Sequence, residues 1–158
     1  MSARQRADQL RQVAVQLGLP ALPALVKSPT VSEALRLTIA WAEGPRRPPD
    51  QVATLAMHHN EVWQEVHYLL PSLPPAPREA FSLRRYRALK RALFQAGFER
   101  LDDQPATAYG GDLWLLASAS ASYYHDLVLA PGAATGVYFR LVEVVRAHWP
   151  EALQELLP

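Results

Sequence analysis

The residues with the clearest potential for chemistry are His58, Glu61 and Glu65, which lie in the segment MHHNEVWQEVH. We predict a helix over 50–70, which would place all three on one face at i, i+3 and i+7. His58 and Glu61 are then candidate metal ligands, because imidazole and carboxylate groups both bind divalent ions. His58 and Glu65, at i and i+7, lie about 10 Å apart on a helix, so one ion could not easily bind both. Ligands from elsewhere in the chain would be needed. Candidates for them are His125, Asp126 and His148.

A second polar cluster follows an alternating run of alanine and serine, over residues 117–126. Histidine titrates near neutral pH, so His125 beside Asp126 raises the question of acid–base catalysis. On a strand, however, these neighbours point to opposite faces. We therefore predict no catalytic residue, and we expect the serines to face solvent or a partner.

Whole classes of chemistry are excluded by composition. The chain has no cysteine, so it can form neither a disulfide nor a thiolate metal site nor a thiol nucleophile. The Tyr109-Gly110-Gly111 turn lacks the lysine and serine or threonine spacing of a phosphate-binding loop. We expect no cofactor, and we favour a binding protein over an enzyme.

Positive charge is concentrated in one segment, where residues 78–100 hold seven basic and two acidic residues. Pro77 suits a first helical turn and Gly97 suits a helix end, so we predict a long helix over 77–96. Its basic part, 78–96, forms a stripe that could contact phosphates. The candidate nucleic-acid-binding residues are Arg84, Arg85, Arg87, Lys90 and Arg91. The alternative is a solvated basic face that pairs with nearby acids.

Three hypotheses for function follow from these patterns. The first is a non-enzymatic adaptor that binds a protein partner or a second copy of itself, with Trp114 and Tyr124 as candidate contact residues. The second is a nucleic-acid-binding protein that uses the basic helix. The third is a metal-dependent enzyme centred on His58 and Glu61.

Hydrophobic periodicity and the positions of glycine and proline predict the secondary structure. We predict helices over 3–17, 30–41, 50–70, 77–96 and 137–148. The stretch 113–130 fits strands better than a helix, with a bend near 118–122. The predicted fold is one mainly helical α+β domain over 1–158, with a small antiparallel sheet or hairpin around 98–130. The alternative is an all-α domain.

The remaining expectations concern organisation and location. The proline-rich segment 71–77 is the predicted internal joint. Hydrophobic residues make up 49% of the chain and charged residues 20%, as in an ordinary folded domain. Charges interrupt the amino-terminal segment, and no run approaches the roughly 18 apolar residues of a membrane span. We expect a soluble cytoplasmic protein without membrane contact.

Overall fold

The computed structural model describes residues 2–74 and 76–156, which form three layers with a sheet between two sets of helices. The helices are α1 (Ala3–Gln16), α2 (Leu22–Leu25), α3 (Leu83–Gln95) and α4 (Val137–His148). The strands are β1 (Val31–Ala40), β2 (Gln51–His58), β3 (Glu61–Tyr68), β4 (Glu79–Phe81), β5 (Leu113–Ser120) and β6 (Tyr123–Leu129).

The sheet has the strand order β4-β3-β2-β1-β5-β6, and all neighbouring strands are antiparallel. Strand β1 lies near its centre and fixes the register of both halves. Arg36 of β1 is opposite Thr54 of β2 and opposite Ala117 of β5. Alternate residues of each strand therefore point to opposite faces of the sheet.

Helices α3 and α4 cover one face of the sheet. Tyr86 and Leu89 of α3 and Leu141 of α4 pack with the β1 residues Leu35 and Leu37 in the main core. Helices α1 and α2 cover the opposite face, where smaller side chains such as Ala34, Ala117 and Ala119 allow close approach. This second layer lies mainly over β1 and β5 and leaves part of β3 half-exposed.

Two hairpins close with two-residue loops, 59–60 between β2 and β3 and 121–122 between β5 and β6. His59 has a φ of 57° and Ala121 has a φ of 50°. Positive φ values match the twist of tight hairpins, but glycine and asparagine reach them with less strain. Neither loop contains glycine, so the strongest sequence signal of a tight hairpin is absent from both.

The prediction of a mainly helical or all-α fold was wrong. The chain is 36% helical and 29% strand, and its sheet has six strands rather than one small hairpin. The predicted helix over 30–41 is strand β1, and the predicted helix over 50–70 is the β2–β3 hairpin. Strands covered on both faces read as continuous apolar runs, which periodicity alone cannot distinguish from buried helices.

Other predicted elements are present. Helix α1 ends one residue before the predicted limit, and α4 has the predicted bounds. The stretch 113–130 forms strands β5 and β6, which reverse inside the predicted bend. The long basic helix ends before Gly97 as expected, but it begins at Leu83, after the short strand β4. Ser82 caps it by accepting a hydrogen bond from Arg85 N.

The proline-rich segment connects β3 to β4 within the sheet, and its Pro75 lies outside the described residues. Leu73 within this segment and Leu70 just before it are each about 40% exposed. None of the helices within residues 2–74 and 76–156 has the length and apolar character that a transmembrane span requires.

Candidate functional site

The outer surface of α3 presents a concentration of positive charge. Tyr86, Leu89 and Leu93 turn inward, so the positions between them face away from the sheet. Arg84, Arg87 and Arg91 are all exposed, and none forms an ion pair within the described part of the chain. They span about 10 Å along the helix. We call these three arginines, together with Phe94, the α3 face.

Arg85 and Lys90, the other two predicted nucleic-acid-binding residues, pair with acidic residues within the fold. Arg85 Nη2 donates to both carboxylate oxygens of Glu151, at 2.7 and 2.9 Å, and its guanidinium lies 4.4 Å from the ring centre of Phe81. Lys90 Nζ lies 3.4 Å from Glu33 Oε1, which connects α3 to β1. These pairs hold α3 against its neighbours. The five candidates thus divide into two residues paired within the fold and three that are free to meet a partner.

Aromatic surface accompanies the free arginines. Phe94 follows Arg87 and Arg91 at i+7 and i+3, and its side chain is 63% exposed. On α4, Phe139 is 48% exposed, and Glu143 on the same outer side is also exposed. The outer surface of this helical layer therefore combines arginines, aromatic rings and an acid, rather than positive charge alone.

The predicted partner-contact residues lie in different surroundings. Trp114 faces the main core and is 4% exposed, so it contributes no surface to a partner in this conformation. Tyr124 is 44% exposed on the opposite face of the sheet, where its hydroxyl donates to Asp126 at 2.7 Å. The strand alternation places the two residues on opposite sides of the sheet.

His58 and Glu61 are brought together, but by a hairpin rather than by a helix. They face each other across the end of β2 and β3. Among the described residues, no group of three histidine, aspartate or glutamate side chains could hold a metal ion. His125, named as a further ligand, instead contacts the Leu101 carbonyl at 2.9 Å through Nε2 and packs edge-on against Phe98.

The alternating serines do not form one exposed row. Ser118 is 6% exposed and faces the α3–α4 layer, whereas Ser122 lies exposed in the hairpin loop. The reversal at 121–122 interrupts the alternation. Ser118 lies opposite His125 across β5 and β6, but no hydrogen bond joins their side chains within residues 2–74 and 76–156, and His125 Nε2 contacts the Leu101 carbonyl instead.

Arg36 was not among the predicted functional residues, because the prediction of a helix over 30–41 gave no reason to expect it to be buried. Arg36 lies in the middle of β1 and is 6% exposed. Its Nε donates to Thr54 Oγ1 at 3.0 Å and its Nη1 donates to the Pro20 carbonyl at 2.8 Å. Burial lowers the pKa of Arg36 to about 10, against the opposing influence of Tyr124 and Glu65. A lone arginine inside the apolar run ALRLTIA was the available signal.

A scan against models of known protein families and a search of curated proteins both found no match to this sequence.

Proposed function

We propose that this protein is a non-enzymatic adaptor that binds an acidic surface of a protein partner through the α3 face. The observation behind the proposal is that Arg84, Arg87 and Arg91 are exposed and unpaired within the described chain, beside the exposed ring of Phe94. Arginine and aromatic side chains dominate the binding energy of protein interfaces. A regular helix also presents these groups at little cost in conformational entropy.

A protein partner fits this surface better than nucleic acid does. A phosphate backbone would favour a broad positive field, whereas Glu143 and Glu151 lie on the same helical layer. The adjacent Lys90 is already paired with Glu33. An exposed phenylalanine in line with the arginines suits a mixed polar and apolar interface.

Nucleic-acid binding is the second candidate, because the same three arginines have no acidic partner among the described residues. Fluorescence anisotropy with labelled duplex and single-stranded DNA and RNA, at low and physiological salt, separates the two candidates. Steeply salt-dependent binding that is lost on reversing the arginines would replace the adaptor proposal with this one.

The adaptor proposal is tested by capturing partners from an extract of the source cells with purified protein. A variant carrying R84E, R87E and R91E is compared with wild type in the same extract. Because a partner with an acidic surface would now meet repulsion, we expect its recovery to fall to background.

The matched control reverses two exposed arginines elsewhere, R4E and R46E, neither of which forms an ion pair with a described residue. This control should recover the partner as well as wild type does. Equal recovery by all three proteins would refute the role of the α3 face. A wild-type dimer that the triple variant cannot form, detected by sedimentation, would identify the partner as a second copy.

A further inference from the structure

Arg36 is a buried cation, and within the described part of the chain no acid contacts it. No carboxylate of the described residues lies within 4.0 Å of its guanidinium. The two nearest in the sheet are engaged elsewhere: Asp126 with Arg11 and Tyr124, and Glu65 with Arg78 and His67. Burying an uncompensated charge is costly, so such a group has a strong affinity for an anion.

The hydrogen bonds of Arg36 to described residues use only some of the N–H groups of its guanidinium. An arginine side chain has five N–H donors. In Arg36, Nε and one N–H of Nη1 have partners, on Thr54 and Pro20, and the others have none within residues 2–74 and 76–156. Thr54 and Pro20 hold the guanidinium in place, which is how a bidentate carboxylate site is preorganised.

Arg36 borders two cavities beneath the connection between α1 and α2. One, of about 190 Å³, continues toward β3 and is lined by Trp63, Ala56 and Leu25 as well as by polar groups. The other, of about 120 Å³, lies on the α1 side and includes Tyr124. The larger one has room for a small organic molecule with an apolar body against Trp63.

The charges around the larger cavity indicate the charge of the ligand that it would bind. Arg36 and Arg78 contribute two positive charges and Glu65 contributes one negative charge, so their sum is one positive charge. His58 also lines this cavity. Burial, Arg78 and His59 lower the pKa of His58 by more than Glu65 and Glu61 raise it, so its imidazole is neutral at pH 7. One net positive charge matches a monoanion better than a phosphate dianion.

We infer that the cavity beside Arg36 is a binding site for a small monocarboxylate with a short apolar body. The carboxylate pairs with the free N–H groups of Arg36, and the apolar body contacts Trp63 and Leu25. The site lies on the face of the sheet opposite α3, so it is independent of the proposed adaptor function.

The test follows the indole N–H signal of Trp63 by NMR, assigned with a Trp63→Phe variant. The probes are formate, acetate and isovalerate, together with formamide, acetamide and isovaleramide as uncharged counterparts, and inorganic phosphate. We expect a saturable shift with the carboxylates, tightest for isovalerate, and at least about tenfold weaker binding of each amide because the charged hydrogen bonds are lost. Phosphate should bind more weakly than isovalerate.

Variants assign the effect to the cavity. Arg36→Met should abolish the shift, and Arg78→Met, at the half-exposed rim, should weaken binding several-fold even if Arg36→Met fails to fold. Arg46→Met, at an exposed arginine outside the cavity lining, is the matched control and should bind as wild type does. No saturable shift, equal binding of amides and carboxylates, tighter binding of phosphate, or wild-type binding by Arg78→Met would each overturn the inference.

Discussion

At the scale of single residues, buried polar side chains connect the helices to the sheet. Gln51 Nε2 donates to the carbonyls of Ala152 and Gln154, and Gln64 Oε1 accepts from Trp149 Nε1 at 2.7 Å. A buried polar group is tolerated only when it has a partner. These glutamines therefore specify where the segment after α4 crosses the sheet.

Gln64→Leu should lower the free energy of unfolding by about 1–3 kcal/mol, because the buried indole N–H of Trp149 loses its acceptor. Urea denaturation of the variant and of wild type measures this difference. Gln95→Leu makes the same change at an exposed position of α3 and should stay within about 0.5 kcal/mol of wild type. An unchanged stability for Gln64→Leu would contradict the assigned hydrogen bond.

The interactions of Glu65 predict how the stability of the fold depends on pH. Burial raises its pKa, but the hydrogen bonds with His67 and Arg78 outweigh burial and hold the pKa below 4.5. A lowered folded-state pKa means that the carboxylate stabilises the fold above its unfolded pKa, and that this contribution disappears as pH falls through the folded pKa.

The stability difference between wild type and Glu65→Gln should therefore be greatest at neutral pH and disappear in acid. Urea denaturation across a pH series measures it. Glu99→Gln, at an exposed glutamate that pairs with no described cation, provides the reference for general acid effects. A difference that does not change with pH would disprove the assigned interactions of Glu65.

The candidate sites differ in how far the sequence could predict them. Arg84, Arg87 and Arg91 were recognisable because a helical stripe of charge is visible in local spacing. Which basic residues are paired and which are free could not be predicted, because the partners Glu33 and Glu151 are far from α3 in sequence. The Arg36 cavity depends on contacts between β1, β3 and the segment before α2, which only the tertiary fold assembles.

At the scale of elements, local signals predicted the outer helices and failed for the central strands. Helix α1 has a reciprocal cap between Ser2 and Gln5, and Gly97, which has a φ of 83°, follows the end of α3. Strands β1 and β2 consist largely of apolar residues and good helix formers, and both of their faces are buried. Their strand conformation is imposed by sheet pairing and burial, which override intrinsic propensity.

The β5–β6 loop offers a test at this scale. Ala121 has a φ of 50°, a conformation in which alanine is strained and glycine is not. Ala121→Gly should stabilise the protein by up to about 1 kcal/mol, because relief of strain exceeds the entropy gained by the unfolded chain.

The same substitution at Ala133, an exposed residue without positive φ, should instead destabilise by about 0.5–1 kcal/mol. Thermal unfolding of both variants beside wild type measures the two effects. A loss of stability for Ala121→Gly would show that this loop does not have the assigned backbone conformation.

At the scale of the whole molecule, the two helical layers have different roles in our account. The α3–α4 layer covers the main core and presents the α3 face outward. The α1–α2 layer covers the other side of the sheet and encloses the cavities beside Arg36. The two proposed surfaces can therefore be altered separately.

Reversing the three free arginines should leave the fold intact. None of them pairs with a described residue, so the R84E, R87E and R91E variant should unfold within about 1 kcal/mol of wild type. Arg85→Glu should cost more per substitution, because it places a second carboxylate beside Glu151. A triple variant that fails to fold would mean that these arginines support the structure rather than a partner.

The most direct test of the adaptor proposal is the dissociation constant of the purified complex, measured by calorimetry with the captured partner. Loss of several charged interface contacts predicts at least about hundredfold weaker binding by the R84E, R87E and R91E variant. The R4E and R46E control should bind as wild type does. The same dissociation constant for wild type and the triple variant would contradict the account.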